Sequence, residues 1–280
     1  MWKVDPPTLD ASTVVATCAR AIGDLTVATA LVSSVDVVQQ RTAAFVAAVA
    51  GETIHTERGS EYQIPGLTHK QISTVYSKHF VDQASAGRAM YDTIRLSTPW
   101  CLACGHQRVN TLDHYLPKSR FPALALTPVN LTPMCQACNQ AKSTRIATCA
   151  EEVFVHPYYE DYESAIWLLA RVVRTPEPHL SFACAASPWS AAQRARIENH
   201  ITRFKLDRMY RTEAARLIAQ SQRMLTRVHV TGGRRAVREV CLERESDLRE
   251  YRLNDWGAAT WAALSHSDWF CDGGFRAFAA

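Results

Sequence analysis

Several things are missing from this 280-residue chain, and each absence removes a class of protein. No apolar run reaches membrane length. The longest, Thr13 to Ser34, is interrupted by Arg20 and Asp24, which excludes a spanning helix. The opening Met1-Trp2-Lys3-Val4-Asp5-Pro6-Pro7 lacks a basic region followed by an apolar stretch, so no secretory signal is expected. There is no internal repeat and no low-complexity tract, which sets aside solenoids and disordered arrays. Acid is scarce in two places. Residues 101–145 hold one acid, Asp113, against five basic residues, and residues 188–253 hold eight against fifteen. The remainder is reversed, with eighteen acids to eleven basic residues.

Cysteine, by contrast, is present in quantity and in a pattern. Nine occur, an odd number, and four of them form Cys101-x-x-Cys104 and Cys135-x-x-Cys138. Each hook offers two sulfurs from one short turn, and two hooks complete the tetrahedron that Zn²⁺ prefers. A redox motif needs one such pair, not two. Four protein sulfurs leave no open position on the metal, so this zinc is expected to be structural. His106 is not needed as a ligand. Thiols in metal spacing argue for a reducing compartment, and a cytoplasmic location is expected.

The uneven charge, within a net of +4, points to a polyanion partner. Two offsets apply. A four-thiolate zinc site carries about two negative charges of its own. The basic residues of 188–253 are fourteen Arg and one Lys, a bias that composition alone can produce in an Ala-rich chain.

Apolar spacing and caps predict a mainly helical α+β protein. Asp10 is placed to cap a first helix, Asp36 another over 37–50 that Gly51 ends, and Thr68 with Gln71 a third. A further short helix is expected over 86–96. Segments 166–173 and 179–185, joined by Arg174-Thr175-Pro176-Glu177-Pro178, predict a hairpin. Helices return beyond residue 190 with a break at Gly232-Gly233. The divisions are a helical N-terminal region over 1–98, a metal module over 99–146, and a C-terminal hairpin plus helical region over 147–280.

Between and beyond the hooks the chain reads Thr111-Leu112-Asp113-His114-Tyr115-Leu116-Pro117-Lys118, then Asn130-Leu131, then Cys138-Asn139-Gln140-Ala141-Lys142. This order resembles the HNH endonucleases, the ββα-metal family, in the subtype with two zinc hooks. The resemblance covers about 45 residues. Asn139 stands where many members have His. The resemblance implies a ββα-metal module embedded between helical regions, and a metal-dependent endonuclease that leaves a 5′-phosphate and a 3′-hydroxyl. It also implies that Asn130 holds the inter-strand loop and orients His114.

The residue types agree with that chemistry. Imidazole titrates near neutrality, so His114 suits the general base that activates water. Asp113 and the amide oxygen of Asn139 are hard ligands suited to Mg²⁺ or Mn²⁺. Lys118, Arg120, Lys142 and Arg145 are candidates for contact with the nucleic-acid backbone. His156-Pro157-Tyr158-Tyr159 reads as packing ahead of a groove edge. DNA is expected ahead of RNA, and no membrane partner. Three readings stay open at this stage: an endonuclease, with a role in antiphage defence; a zinc module that binds nucleic acid without cutting it; and a nuclease subunit whose helical regions bind a protein partner such as an ATPase.

Overall fold

Helix caps account for how most elements begin in the computed structural model, which describes residues 3–278. Asp10 caps helix α1 (Ala11–Arg20), its carboxylate accepting from the Ser12 amide at 3.0 Å. Asp24 does the same for α2 (Leu25–Ser33) through the Thr26 and Val27 amides. Helix α3 (Val35–Ala50) corrects one expectation: it starts ahead of Asp36, which therefore lies in the first turn and not at the cap. Its charge still favours the positive end of the helix. Gly51 closes α3 as predicted.

Thr68 and Gln71 form the predicted capping box at the start of α4 (His69–Val75). The helix then widens into a π turn over Tyr76–Val81, where the Asp82 amide reaches back five residues to the Ser77 carbonyl at 3.1 Å. Gly87 leads into α5 (Arg88–Arg95) and closes against that turn. A Cβ at Gly87 would lie 2.6 Å from the His79 carbonyl oxygen and 2.9 Å from the Phe80 ring. Gly87→Ala is expected to lower stability by about 1–3 kcal/mol through overpacking. A shifted urea midpoint at unchanged slope would show it; an unshifted midpoint would mean that the π turn yields freely.

Strands β1 (Thr111–His114) and β2 (Leu131–Met134) pair antiparallel, with Asp113 opposite Thr132 and His114 opposite Leu131. Helix α6 (Gln136–Lys142) follows β2 after one residue, completing the ββα order. The chain divides into two compact units at Asp161/Tyr162. Within the first, N-terminal helices and module share one apolar core. Phe45 packs edge-on to Tyr115 with centroids 6.1 Å apart, and Tyr62 to Phe121 at 5.1 Å. His156 is buried among Phe45, Tyr115, Tyr158 and Tyr159, a packing role.

In the second unit the predicted hairpin is present. Strand β3 (Leu168–Val173) pairs with β4 (His179–Cys184) from Leu168–Cys184 to Val173–His179. A capping box of Ser190 and Gln193 opens α7 (Ala191–Arg203). Helix α8 (Leu206–Tyr251) is broken at Gly233, whose φ of 62° suits glycine, where Gly232-Gly233 predicted a break. Tyr210, Ala214, Ile218 and Leu225 form its buried line, and Val237 and Cys241 resume it. Beyond Cys241, Leu248 is half-buried, while Arg244 and Tyr251 are exposed. Helices α9 (Trp256–Ser265) and α10 (Asp268–Cys271) follow, with Trp261 and Phe270 buried. The fold is mainly helical with two small two-stranded sheets, and the ββα module sits mid-chain. Among the described residues no helix is long and apolar enough to cross a membrane.

Candidate active site

The four hook cysteines come together. Their Sγ atoms all lie within 4.8 Å of one another, and all four residues are buried. Local backbone chemistry builds each hook. The Gln107 amide donates to Cys104 Sγ at 3.5 Å, and the Cys138 amide to Cys135 Sγ at 3.4 Å. Cys135 thereby caps α6. The first hook is tied to β2 by the Leu102 amide on the Pro133 carbonyl at 3.1 Å. Four thiols this close cannot all ionise without a cation. Their mutual hydrogen bonds hold Cys104 down to about 7 and drive Cys138 up. A zinc ion resolves that conflict by binding all four as thiolates, so the donor set is that of a structural zinc site.

This cluster anchors the segment that carries Asp113 and His114. Alternation along β1 would send the two side chains to opposite faces. Both nevertheless line one cleft of about 740 Å³. The strand ends at His114, and Asn130 turns the chain there. Its side-chain oxygen accepts from the Leu116 amide at 2.8 Å, and its Nδ2 donates to the Leu116 and Leu124 carbonyls. The Tyr115 amide donates to the Asn130 carbonyl at 2.8 Å. Asn130 is fully buried and touches the loop on both sides.

His114 is held by its ring. Nε2 lies 2.9 Å from the Ala125 carbonyl oxygen, which can only accept, so Nε2 carries the hydrogen and Nδ1 the lone pair. Burial, with help from the ammoniums of Lys118 and Lys142, pushes the imidazole down to about 3. It is therefore neutral, the form that can take a proton. Tyr76, from the π turn, lies against it with ring centroids 4.5 Å apart.

Asp113 is 5% exposed, and burial pushes its carboxyl up against the pull of Lys142 and Lys118. Lys142 Nζ sits 2.9 Å from Asp113 Oδ2, off the angle of a hydrogen bond; its aligned bond goes to the His114 carbonyl at 2.6 Å. Asp113 Oδ2 is thus a buried carboxylate oxygen with an ion pair but no aligned donor. Asn139 also lines the cleft, its Nδ2 donating to Thr111 Oγ1 at 3.3 Å, which turns that hydrogen inward and leaves its amide oxygen as the donor atom for a cation. Both side chains offer oxygen atoms of the kind that a hard divalent ion takes as ligands.

The four basic candidates separate. Lys118 lines the cleft, its Nζ 4.9 Å above the Tyr76 ring. Arg120 and Arg145 are exposed outside the cleft lining. Lys142 is 1% exposed and faces inward, so the surface contact expected of it is not what its position allows. It stands one turn after Cys138 on α6, the side that carries the second cysteine hook. Sequence reasoning missed the opposite wall, where His69, Ser73 and Tyr76 line the cleft from α4 and its π turn. Their spacing marks one helical face, and the Thr68 capping box locates it. Nothing in the sequence says which surface that face meets.

Residues 101–145 match the model of the HNH endonuclease family. This segment is an HNH endonuclease domain. The family it matches is one of endonucleases, which are hydrolases. Protein ea31 of Escherichia phage lambda is 25% identical over 166 residues, covering 56% of this chain and 55% of the phage protein. The chain thus spans about half the length of the curated relative it matches. No solved structure matches the chain significantly. The HNH domain holds the cysteine cluster, Asp113, His114, Asn130 and Asn139 within its matched residues.

Proposed function

We propose that the protein is a metal-dependent endonuclease that hydrolyses nucleic-acid phosphodiester bonds, DNA in preference to RNA. The observation that carries this reading is His114: a buried, neutral imidazole whose Nε2 hydrogen is committed to Ala125, beside an ion-ready Asp113 in one cleft. The imidazole accepts a proton from water at Nδ1, and the water oxygen attacks phosphorus in line. Ala125 fixes the tautomer, and Tyr76 limits rotation of the ring. Asp113 and Asn139 would hold Mg²⁺ or Mn²⁺, which would supply positive charge to offset the phosphate and the departing oxygen. Asn130 keeps the β1 end and the following loop in place, and Lys118 reaches a phosphate oxygen from the cleft wall. Arg120 and Arg145, both exposed, are placed for backbone contact outside the cleft.

A role in antiphage defence belongs to the same proposal, on the ground of an HNH domain carried between helical regions. Phage challenge of cells with and without His114 tests it. For the reaction itself, His114→Ala is expected to cut cleavage of plasmid DNA by about 10²–10⁴-fold, the usual worth of a general base. Zinc content should be unchanged. Equal cleavage by both proteins would remove His114 from the mechanism.

A further inference from the structure

The second unit carries a charge pattern that the HNH domain does not use. From Arg208 to Arg238, α8 holds eight arginines and a single acid, Glu213. From Glu239 to Tyr251 the same helix holds five acids and two arginines. A bias in composition would enrich arginine throughout; it would not sort the two signs into consecutive stretches of one helix.

The structure adds which arginines are already engaged. Arg211 pairs with Asp207 at 2.9 Å, Arg216 with Glu213 at 2.7 Å and Arg235 with Glu239 at 2.8 Å. Arg238 and Arg234 share Asp268. Arg208, Arg223 and Arg227 are exposed and have no acidic partner among the described residues. At about 100° per residue, Arg216, Arg223 and Arg227 fall on the side of α8 opposite its buried line of Tyr210, Ala214, Ile218 and Leu225. With a rise of about 1.5 Å per residue, Arg223 and Arg227 stand about 6 Å apart along the axis, and Arg216 and Arg223 about 10 Å. These intervals match roughly two or three phosphates at about 3.4 Å each along one strand. Guanidinium suits phosphate oxygens, because its planar fork donates to two of them at once. The one large apolar side chain on this face, Val230, is too little to seed a protein interface built on buried anchors.

We infer that the outward face of α8 before Gly233 is a nucleic-acid track, which grips phosphates without reading bases. This rests on the nuclease reading for the class of polyanion, and deepens it by assigning a second surface to substrate capture. Lone contacts of this kind raise affinity and salt dependence while leaving chemistry in the cleft untouched.

The test uses the full chain. Binding of a labelled 30-base-pair duplex would be followed by anisotropy from 50 to 300 mM salt, in the His114→Ala background. Converting Arg216, Arg223 and Arg227 together to Gln is expected to weaken binding about tenfold or more at low salt. It should also flatten the log–log salt slope by about two to three, since each phosphate contact contributes about 0.9. The triple Lys variant should keep the slope, because it keeps the charge. Cleavage of a saturating short single-stranded oligonucleotide by the Gln variant with His114 intact should match that of the parent. That arm reports on the nuclease reading separately: absence of cleavage by the parent sinks that reading, whereas unchanged affinity and slope in the Gln variant sink the track. Loss of binding to poly-glutamate but not to DNA would overturn the track in favour of an acidic protein partner.

Discussion

Lys142→Met is expected to lower the melting temperature by about 6–20 °C and to reduce DNA cleavage about 100-fold. The reasoning begins with burial. Lysine is rarely enclosed unless paired, and Lys142 is 1% exposed with its ammonium between Asp113 Oδ2 and the His114 carbonyl. Removing one partner of a buried ion pair strands the other, at a cost of about 3–5 kcal/mol. For a unit of this size each kcal/mol corresponds to about 2–4 °C. The loss of activity has a separate origin. Lys142 ties the end of α6, which carries Asn139, to the backbone of His114, and misplacement of reacting groups by about 1 Å costs about 10²-fold. The double variant Asp113→Asn with Lys142→Met removes both charges. It should regain most of the stability and none of the activity, since a pair lost together leaves no stranded charge. Thermal melts and cleavage rates of the four proteins decide this. A Lys142→Met protein as stable as the parent, with only its substrate KM raised, would return Lys142 to the role of a phosphate contact.

Loss of zinc is expected to abolish cleavage outright. Cys135→Ser should purify without zinc and without measurable nuclease activity. Chelated parent protein should recover only when zinc is restored, not with excess Mg²⁺ alone. The module is short, and its catalytic segment has little regular structure: two four-residue strands and a seven-residue helix. Binding at four-sulfur sites in such small units is worth about 10–16 kcal/mol and is spent on folding. Here the cluster joins the loop before β1 to the start of α6, so its loss frees both ends of the site. Near-ultraviolet dichroism, metal content and cleavage would be read together. Full activity at zero zinc would mean that the aromatic contacts from the N-terminal helices, such as Tyr76 on His114, hold the module alone.

Much of the site was legible in the sequence because its chemistry depends on spacing. Two Cys-x-x-Cys hooks can chelate one ion only if they meet, and the four sulfurs do meet. Asp113 and His114 are adjacent, and Asn139 follows the second hook directly, so bringing the hooks together also brings these residues near one cleft. The caps at Asp10 and Thr68 were legible for a related reason: a side chain two or three residues from a free amide needs no distant partner. Asp36 was misplaced by the same local logic, since a helix start can slide by a residue or two when apolar packing favours it.

What spacing could not decide was which distant surfaces meet. A basic residue three positions after Asn139 reads as a phosphate contact on charge alone. Its inward path toward Asp113 follows from how α6 lies on β1. Tyr76 reads as one more apolar position in a helix, and its role against His114 exists only because α4 and its π turn pack onto the module. The arginines of 188–253 read as a basic arm whose charge could be composition. Which of them pair with acids among the described residues, and that Arg208, Arg223 and Arg227 do not, depends on which acids the fold brings beside α8. Ligand type and cap position are properties of neighbours in the chain, so the sequence determined them. Burial, tautomer and ion pairing are properties of neighbours in space, and those were decided when the helices closed over the module and changed the dielectric around each group.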